Sequence, residues 1–369
     1  MKITILKNNL KNSLDAVSRT IGENTNLPIL KNVLVKSENG KINLVSTDLE
    51  TAVVKTIAGK IIDEGQITVP FNVFNSVINN IQSERIDIES KEANILIKTD
   101  SYEAKIQGMN YDEFPIIPKI GLKDEFIEIK GDILKDSFNS VISAAQVSEL
   151  RPEISGVMLD IDGETIKFVA TDSFRLAEKT IYSSDFTNNF ERGFKLIIPL
   201  KPVQEIVRII NDKDTYKIYS DESQIMVKSD EITIITRLID GKFPEYTPII
   251  PKNTTTNLEI SRGELTGALR LVSSFSPKNN EVIFRIVPDQ KLLEVYSADS
   301  LLGENKYLIP AKITGEPLNI SFNWRFILDG MKNMDTETIN IGFQGDVKPS
   351  VIKCPKDNSY IYIAMPIKD

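Results

Sequence analysis

Apolar and polar residues form three kinds of segment, and each kind occurs three times along the chain in the same order. The first kind has apolar residues at positions i, i+4 and i+7, the spacing of one face of an α-helix. The three faces are Leu10, Leu14 and Val17; Leu134, Phe138 and Val141; and Leu265, Leu269 and Val272. Because the copies lie 124 and 131 residues apart, the pattern predicts a repeated unit rather than isolated helices.

The second kind is a pair of alternating apolar runs joined by a polar turn, which predicts a β-hairpin. These hairpins span residues 27–48, 154–172 and 282–299 and end in Asp48, Asp172 and Asp299. Asp48 and Asp172 could suggest an acid–base pair. However, equivalent positions of separate units lie too far apart to share a substrate proton. We therefore expect these aspartates to accept backbone N–H groups at strand-end turns.

The third kind is a short strand that runs into a second helix, at residues 68–74, 197–203 and 321–327. Closing strands follow each time and end in Phe114-Pro115, Phe243-Pro244 and Met365-Pro366. Each copy is therefore predicted to hold two helices and about eight strands, as an α+β unit. The proline-bearing segments predict domain boundaries that give domains 1–120, 121–252 and 253–369. Three unrelated α+β domains of similar size remain the alternative.

Composition narrows the chemistry. The chain has no histidine, which excludes Ser-His-Asp and Cys-His mechanisms and histidine-ligated metal sites. Cys354 is the only cysteine, so no internal disulfide can form. No phosphate-binding glycine loop and no GxSxG motif occurs. We expect no cofactor and no metal.

The longest uninterrupted apolar run, Tyr360 to Met365, is far shorter than the roughly 18 residues that a membrane span needs. The first residues also lack the apolar core of a signal peptide. A cytoplasmic location without membrane partners is expected.

Charge is unevenly distributed. The net charge of −8 argues against nucleic acid when it is taken alone. The predicted helices, however, together carry +5 and leave −13 on the rest of the chain. They span residues 6–21, 71–82, 129–146, 200–213, 260–276 and 323–334. A weakly basic helical layer indicates a polyanionic partner. The candidate phosphate neighbours are Lys7, Lys11, Arg19, Lys135, Lys201, Arg208 and Lys332.

Several stretches together carry a family resemblance that extends from Met1 to Asp369. They are Leu27–Leu30 with Thr47–Glu50, Val169–Ala177, Asp240–Tyr246 and the terminal Met365-Pro366. In combination they resemble the bacterial sliding clamps, the beta subunits of the replicative DNA polymerase. The resemblance implies three domains per chain, with helices inside and sheets outside. It also implies a head-to-tail homodimer that closes around duplex DNA as a non-catalytic processivity factor.

A size estimate agrees with such a ring. Twelve helices spaced roughly 9 Å apart form a circle about 35 Å across. Subtracting a helix radius of about 5 Å on each side leaves roughly 25 Å, which admits B-DNA without tight base contacts. Identical chains with unlike ends should join head to tail. The candidate edges are Ala104 and Ile106 in domain one, and Val272 and Phe275 in domain three.

The resemblance also implies a pocket between domains two and three. There the replicative polymerase, the clamp loader and repair enzymes would bind through short peptide motifs. Residue-by-residue matching gives Ile154, Thr171, Phe174, Arg175, Leu176, Pro244, Ile249, Ile363, Met365, Pro366 and Ile367. Most of these residues are apolar, and methionine repacks easily around varied partners.

The chain departs from the family pattern at three places. Ser173-Phe174 stands where the family often has Gly-His, and Pro248 stands where some members have a basic residue. The loop Gly22–Asn26 lacks an arginine that some members use near DNA. Two functions from other classes remain as alternatives: a carboxylate-dependent hydrolase on repeated domains, and a repeat scaffold that binds proteins without DNA.

Overall fold

The computed structural model of the chain describes residues 1–22, 26–118, 120, 125–190 and 192–368. Within those ranges it contains six α-helices, each at a position that the hydrophobic pattern predicts. The helices are α1 Lys7–Val17, α2 Phe71–Asn80, α3 Gly131–Ile142, α4 Leu200–Ile209, α5 Arg262–Val272 and α6 Trp324–Lys332. All six are shorter than predicted.

The same ranges contain 27 strands, nine in each repeat rather than about eight. Repeat one has β1 Lys2–Leu6, β2 Asn32–Glu38, β3 Lys41–Thr47, β4 Thr51–Ile57, β5 Gly59–Asp63, β6 Gly65–Pro70, β7 Arg85–Lys91, β8 Asn94–Lys98 and β9 Glu103–Gln107. Repeat two has β10 Ile127–Lys130, β11 Gly156–Ile161, β12 Thr165–Thr171, β13 Arg175–Tyr182, β14 Phe186–Asn188, β15 Phe194–Pro199, β16 Thr215–Ser220, β17 Gln224–Lys228 and β18 Ile232–Arg237. Repeat three has β19 Thr256–Ser261, β20 Glu281–Val287, β21 Leu292–Asp299, β22 Gly303–Pro310, β23 Lys312–Gly315, β24 Leu318–Asn323, β25 Thr338–Phe343, β26 Ser350–Lys353 and β27 Tyr360–Ala364.

The order of elements is the same in every repeat. One strand leads into a helix, five strands follow, and a second helix precedes three closing strands. This common order confirms the predicted α+β architecture of three tandem two-helix repeats.

Two of the four sheets continue from one repeat into the next. One nine-stranded sheet has the order β14-β10-β16-β17-β18-β4-β3-β2-β6, and the other has the order β15-β11-β12-β13-β27-β26-β25-β19-β23. The antiparallel pairs β18–β4 and β13–β27 make these joints. The two remaining sheets belong to single repeats: β5-β1-β7-β8-β9 in repeat one and β22-β21-β20-β24 in repeat three.

The sheets divide the chain into two compact units. The first consists of Met1–Gly131, Thr187–Phe190 and Arg208–Leu238, and the second of Asp132–Phe186, Glu191–Val207 and Ile239–Asp369. Repeat two is therefore shared between the units, because its strands complete sheets that its neighbours begin. The boundaries after residues 120 and 252 stay a prediction about the sequence repeats.

Each helix buries the apolar face that the pattern predicts. In the first unit α1 packs against α2 and β4, with Leu10, Leu14 and Val17 fully buried. In the second unit α5 packs against α6 in the same way. Within the described ranges, no helix has both the length and the apolar character that crossing a membrane requires.

The predicted hairpins form, but two of them begin later than expected. Pro28–Lys31 and Pro152–Ile154 are 3-10 turns, because proline at their first position lacks the N–H that sheet pairing needs. The turn aspartates behave as predicted. Asp48, Asp172 and Asp299 each accept the backbone N–H groups two and three residues later, at 2.8–3.3 Å.

Candidate functional site

The second unit contains an open cavity of about 670 Å³. Its lining combines the Asp172 turn, the segment before β19, the end of β25 with the loop after it, and the end of β27. The lining residues are Thr171, Ser173, Arg175, Leu176, Pro248, Ile249, Ile250, Pro251, Lys252, Gln344, Lys348, Pro349, Ile363 and Met365.

The Asp172 turn forms one wall. The Thr171 hydroxyl donates to the carbonyl of Arg175 at 2.6 Å and accepts the N–H of Ser173 at 3.1 Å. Ser173 has a φ of +77°, a left-handed conformation in which glycine is the least strained residue. The equivalent Leu49 has a φ of +78°, so repeats one and two share this turn geometry.

Arg175 fixes this wall to α6. Its guanidinium donates to Asp172 at 2.9 Å and to Asp329 at 2.5 Å, and it lies 4.3 Å from the ring centre of Phe326. Burial by itself lowers the pKa of Arg175, but Tyr362 and the two carboxylates outweigh burial and raise it. The guanidinium is therefore committed to its own unit, and its charge is already balanced.

The floor of the cavity is a hydrophobic cluster. Leu176 and Ile363 pair across β13 and β27 and pack with Ile154, Phe243 and Tyr246. This floor contains one buried polar contact, in which the Tyr246 hydroxyl donates to Glu178 at 2.5 Å. Burial and that hydrogen bond raise the pKa of Tyr246, so the phenol stays neutral.

The opposite wall comes from residues 247–252. Thr247–Ile249 form a 3-10 turn, and Ile250 continues it with an N–H bond to the carbonyl of Thr247. The Gln344 amide then donates to the carbonyl of Asn253 at 2.5 Å and ties this segment to the end of β25.

The structure brings together six of the eleven residues predicted for the pocket. Thr171, Arg175, Leu176, Ile249, Ile363 and Met365 line the cavity.

The other five residues lie elsewhere in the second unit. Ile154 lies in the hydrophobic floor. Phe174 is 62% exposed and outside the lining, and only its carbonyl contributes, by accepting the N–H of Met365 at 2.8 Å. Pro244, Pro366 and Ile367 are buried or half-buried outside the cavity.

Sequence reasoning missed most of the polar lining. Of the proline-rich segment 247–252, which forms a wall, only Ile249 was predicted for the pocket, and the segment was otherwise interpreted as a domain boundary. Gln344 and Lys348 carry no motif, and only the folded chain brings them to residues far away in sequence.

The predicted phosphate neighbours lie on the helices, except Arg19, which lies in the 3-10 turn after α1. Lys11, Arg19, Lys201, Arg208 and Lys332 are exposed, whereas Lys7 and Lys135 are half-buried.

The ammonium of Lys7 donates to the carbonyl of Ile81. With the observed helix bounds, the six helices carry +3 and the rest of the chain −11, so the charge separation is smaller than predicted. Residues 23–25 of the Gly22–Asn26 loop lie outside the described residues.

The candidate edge in domain one is a sheet edge, because Ala104 and Ile106 lie on β9, but the candidate in domain three is not, because Val272 ends α5 and Phe275 lies in the 3-10 turn after it. Two of these four side chains are buried. β9 and β22 each end a sheet. Ile106 and Val272 are only 7% and 1% exposed, because Ile106 faces the core side of β9 and Val272 belongs to the buried face of α5. Ala104 and Phe275 are half-buried. An added Cβ on Gly303, at the start of β22, would lie 3.7 Å from the Phe275 ring.

Comparison with known proteins gives one consistent result. Residues 1–118, 128–245 and 247–368 match the models for the N-terminal, central and C-terminal domains of the DNA polymerase III beta subunit.

Individual relatives agree along their whole length. The chain is 26% identical over 375 residues to the beta sliding clamp of Synechococcus elongatus, covering 100% of this chain and 99% of that protein. It is 27% identical over 371 residues to the beta sliding clamp of Chlamydia muridarum, with both chains fully covered.

Solved structures agree as well. The crystal structure of the DNA polymerase sliding clamp from Bacillus subtilis matches with a TM-score of 0.95 at 25% identity, covering 100% of this chain and 99% of that one. The DNA polymerase III beta subunit from Thermotoga maritima matches with a TM-score of 0.90 at 26% identity and the same coverage.

Proposed function

The chain belongs to the DNA polymerase III beta subunit family, the bacterial sliding clamps, and from that premise we propose how its residues perform the function. Two copies close head to tail around duplex DNA and hold the replicative polymerase and other DNA enzymes at the cavity of the second unit. The chain acts without catalysis, which disfavours the hydrolase, and it encircles DNA, which disfavours the DNA-free scaffold. We place it in the cytoplasm, where a bacterium keeps its chromosome.

The proposed ring is supported chiefly by the sheets that continue from one repeat into the next. At both internal joints, the last strand of one repeat pairs with the same hairpin strand of its neighbour: β18 with β4, and β27 with β13. β9 is the equivalent of β18 and β27, and β22 is the equivalent of β4 and β13. Each of the two ends a sheet and so lacks such a neighbour within the chain. Pairing β9 of one protomer with β22 of the other would convert the five- and four-stranded sheets into a third kind of nine-stranded sheet.

The internal joints also define a register. At the first joint Ile235 pairs with Ala52. Within the β3–β4 hairpin, Ala52 also pairs with Thr47, the residue before Asp48. Glu304 is the equivalent of Ala52 in repeat three, because it pairs with Ala298, the residue before Asp299. Lys105 is the equivalent of Ile235 in repeat one. Ile235 lies two residues after Thr233, which forms the last pair before the β17–β18 turn, and Lys105 lies two residues after Glu103, which forms the last pair before the β8–β9 turn.

The register therefore places Lys105 opposite Glu304 and Glu103 opposite Lys306. All four side chains are exposed in the protomer, and both cross-strand pairs join opposite charges. Such pairs stabilise antiparallel sheets, whereas like charges directly opposite destabilise them.

Analytical ultracentrifugation of charge-reversed variants tests the joint. Lys306→Glu should weaken the dimer because it sets two carboxylates face to face, and adding Glu103→Lys should restore it. Lys356→Glu, at an exposed loop position, is the matched control and should dissociate no more than the native chain. If the double variant dissociates as readily as the single one, the register is wrong.

Contact with DNA is proposed to come from the exposed helix cations. A triple reversal of Lys11, Arg19 and Lys332 to glutamate should speed loss from circular DNA and flatten the salt dependence of binding. Reversal of three exposed sheet and loop lysines, Lys41, Lys60 and Lys356, changes net charge equally and serves as control. Equal effects of the two triple variants would remove the assignment to the helices.

The peptide pocket is tested at the tail. A short extended peptide with Leu or Phe anchors should bind at a Kd of about 1 μM, or about −8 kcal/mol. Deleting residues 365–369 should abolish this binding because it removes Met365 from the wall. Deleting only residues 367–369 keeps Met365 and should preserve most of the affinity. Unchanged affinity after the longer deletion would refute the pocket.

A further inference from the structure

The first unit contains a second open cavity, of about 810 Å³. Its lining comes from the segment 111–118, Ile120 and the strands β2, β3, β4, β6, β17 and β18. All of its described lining residues belong to the first unit. A concave, mostly apolar cavity of this size is typical of ligand-binding sites.

The repeat relates this cavity to the hydrophobic floor of the second unit. Val45 and Val169 each lie three residues before a turn aspartate, so the cross-strand rows that contain them correspond. The row in the first unit is Leu34, Val45, Val54, Thr233 and Lys228. The row in the second unit is Met158, Val169, Glu178, Ile361 and Lys353. Both units therefore contain the same place in the fold.

Two residue differences open this place in the first unit. In the second unit the Tyr246 ring packs in the cluster above the row, and its hydroxyl donates to Glu178 at 2.5 Å. Tyr246 lies three residues after Phe243, and the residue three after the equivalent Phe114 is Ile117. Val54 is the equivalent of Glu178. The first unit therefore has two smaller aliphatic side chains where the second has a tyrosine ring bound to a carboxylate.

The consequence is visible in burial. Met158 and Val169 are buried inside the hydrophobic cluster of the second unit. Their equivalents Leu34 and Val45 line the cavity of the first unit. The space that an aromatic ring of the chain itself fills in the second unit is therefore accessible to a ligand in the first.

Large apolar side chains also line the cavity from the solvent side. Ile116 is 94% exposed and Tyr111 is 41% exposed, and both line the cavity. Exposed apolar groups that cluster beside a cavity mark interaction sites. Pro115 and Pro118 stand on either side of Ile116 and limit its backbone, so the apolar rim is restrained before a ligand arrives.

The charge at the rim indicates what accompanies the ring. Lys36 and Glu38 pair at 2.6 Å, whereas Lys228 makes no ion pair within the described part of the chain. Lys228 lies two strands away from Val54 in the row, which is about 10 Å at the usual strand spacing. Because three residues of an extended peptide also span about 10 Å, a carboxylate three positions from the ring would reach the ammonium.

We propose that this cavity binds a partner peptide, through an aromatic anchor over Val54 and an acidic residue three positions away that meets Lys228. The proposal goes beyond the proposed function, which uses the cavity of the second unit alone, and it gives each protomer two peptide sites. A second copy of the chain fits less well, because its proposed contacts are the edge strands β9 and β22, whereas Val54 and Ile235 lie on interior strands.

Methyl NMR of the full-length protein observes both sites in one spectrum. Met226 lines the cavity of the first unit and Met365 lines that of the second. With the methionine methyl groups labelled, Met226→Leu and Met365→Leu assign the two signals. A peptide with blocked ends, one phenylalanine and an aspartate three positions to either side should shift the Met226 signal saturably. Alanine in place of phenylalanine should abolish that shift.

Variants of the floor locate the anchor. Val54→Glu combined with Ile117→Tyr reproduces the pair that fills the second unit, and it should abolish the Met226 response while the Met365 response stays as in the native protein. Urea unfolding verifies that this double variant is folded. A Met226 response that survives in the folded double variant would overturn the proposal.

Variants of the rim identify the charge contact without altering the floor. Asparagine in place of both aspartates should weaken binding at Met226 about threefold, since exposed ion pairs contribute modestly. Lys228→Gln should remove this difference, whereas Lys353→Gln, at the equivalent position of the second unit, should preserve it. A difference that persists in Lys228→Gln would contradict the proposed contact.

The remaining outcomes separate this proposal from the proposed function. A peptide that shifts Met365 but never Met226 overturns the second site and leaves the proposed function standing. A peptide that shifts Met226 alone supports the second site and counts against the pocket of the second unit. Two results would replace the peptide with another occupant and so overturn the proposal: free 3-phenylpropionate that binds at Met226 as tightly as the peptide, or the same shift on raising the protein concentration alone.

Discussion

The packing of α6 on β27 yields a prediction with a matched control in the same unit. Gly330 is buried in α6, and an added Cβ there would lie 2.5–2.7 Å from three ring atoms of Tyr362. Real Cβ atoms do not approach other atoms so closely, so the helix or the ring must move. The ring of Tyr362 is fully buried.

The expected magnitude combines two opposing effects. Overpacking a core typically costs about 1–3 kcal/mol. Alanine in a helix interior gains about 1 kcal/mol over glycine. Because the clash involves three atoms of a rigid ring, we expect Gly330→Ala to lower the free energy of unfolding by about 1–2 kcal/mol.

Gly267 provides the control. It lies in the middle of α5, and a Cβ there would meet nothing within 4 Å. Gly267→Ala should therefore raise the free energy of unfolding by up to about 1 kcal/mol, through helix propensity alone.

Urea unfolding followed by tryptophan fluorescence measures both variants. Trp324 is the only tryptophan and begins α6, so its emission reports the affected packing. The two midpoints should shift in opposite directions. If Gly330→Ala is as stable as Gly267→Ala, the proposed contact between α6 and Tyr362 is refuted.

Three further predictions concern buried polar groups and the repeated turn. Tyr246→Phe should lower the free energy of unfolding by about 1–3 kcal/mol because Glu178 loses its buried donor, whereas phenylalanine at an exposed tyrosine should have little effect in the same urea titration. Burial raises the pKa of Tyr216 to about 12 from an ordinary value near 10, so its contribution to stability is complete below pH 10 and is lost between pH 10 and 12; Tyr216→Phe should show a weaker loss over that range in pH-dependent unfolding. Asp172→Ala should destabilise more than Asp299→Ala, because both free two turn N–H groups and Asp172 also holds the Arg175 guanidinium; equal midpoint shifts would contradict that role.

The repeat and the helix faces were predictable because they depend on local periodicity. Leu10, Leu14 and Val17 bury the face that their spacing indicates. The helix ends were not predictable in the same way. The chain keeps apolar residues beyond Val17 and Val272 but tightens into 3-10 turns there, and apolar spacing alone does not distinguish the two kinds of turn.

The continuation of sheets between repeats could not be predicted from local sequence patterns. Nothing in the spacing of β18 or β4 indicates that they pair, because the two strands lie far apart in sequence. The division into two compact units follows from that pairing, and so it too needed the folded chain.

The candidate site shows the same limit at the level of side chains. Matching by position selected the turn at Thr171 and the tail at Met365, both of which line the cavity, but it could not give the direction of a loop side chain. Phe174 therefore proved to be exposed outside the cavity. Lys252 and Lys348 were missed because a solvated charge carries no pattern until the fold shows which cavity it borders.

The central claim is that two chains form a closed ring that holds DNA by topology. Its most direct measurement loads the labelled protein with its clamp loader onto a nicked circular duplex and follows retention during gel filtration at raised salt. The protein should stay with the circle and run off after a single restriction cut makes the DNA linear. Equal retention before and after the cut, or equal loss from both forms, would contradict the ring.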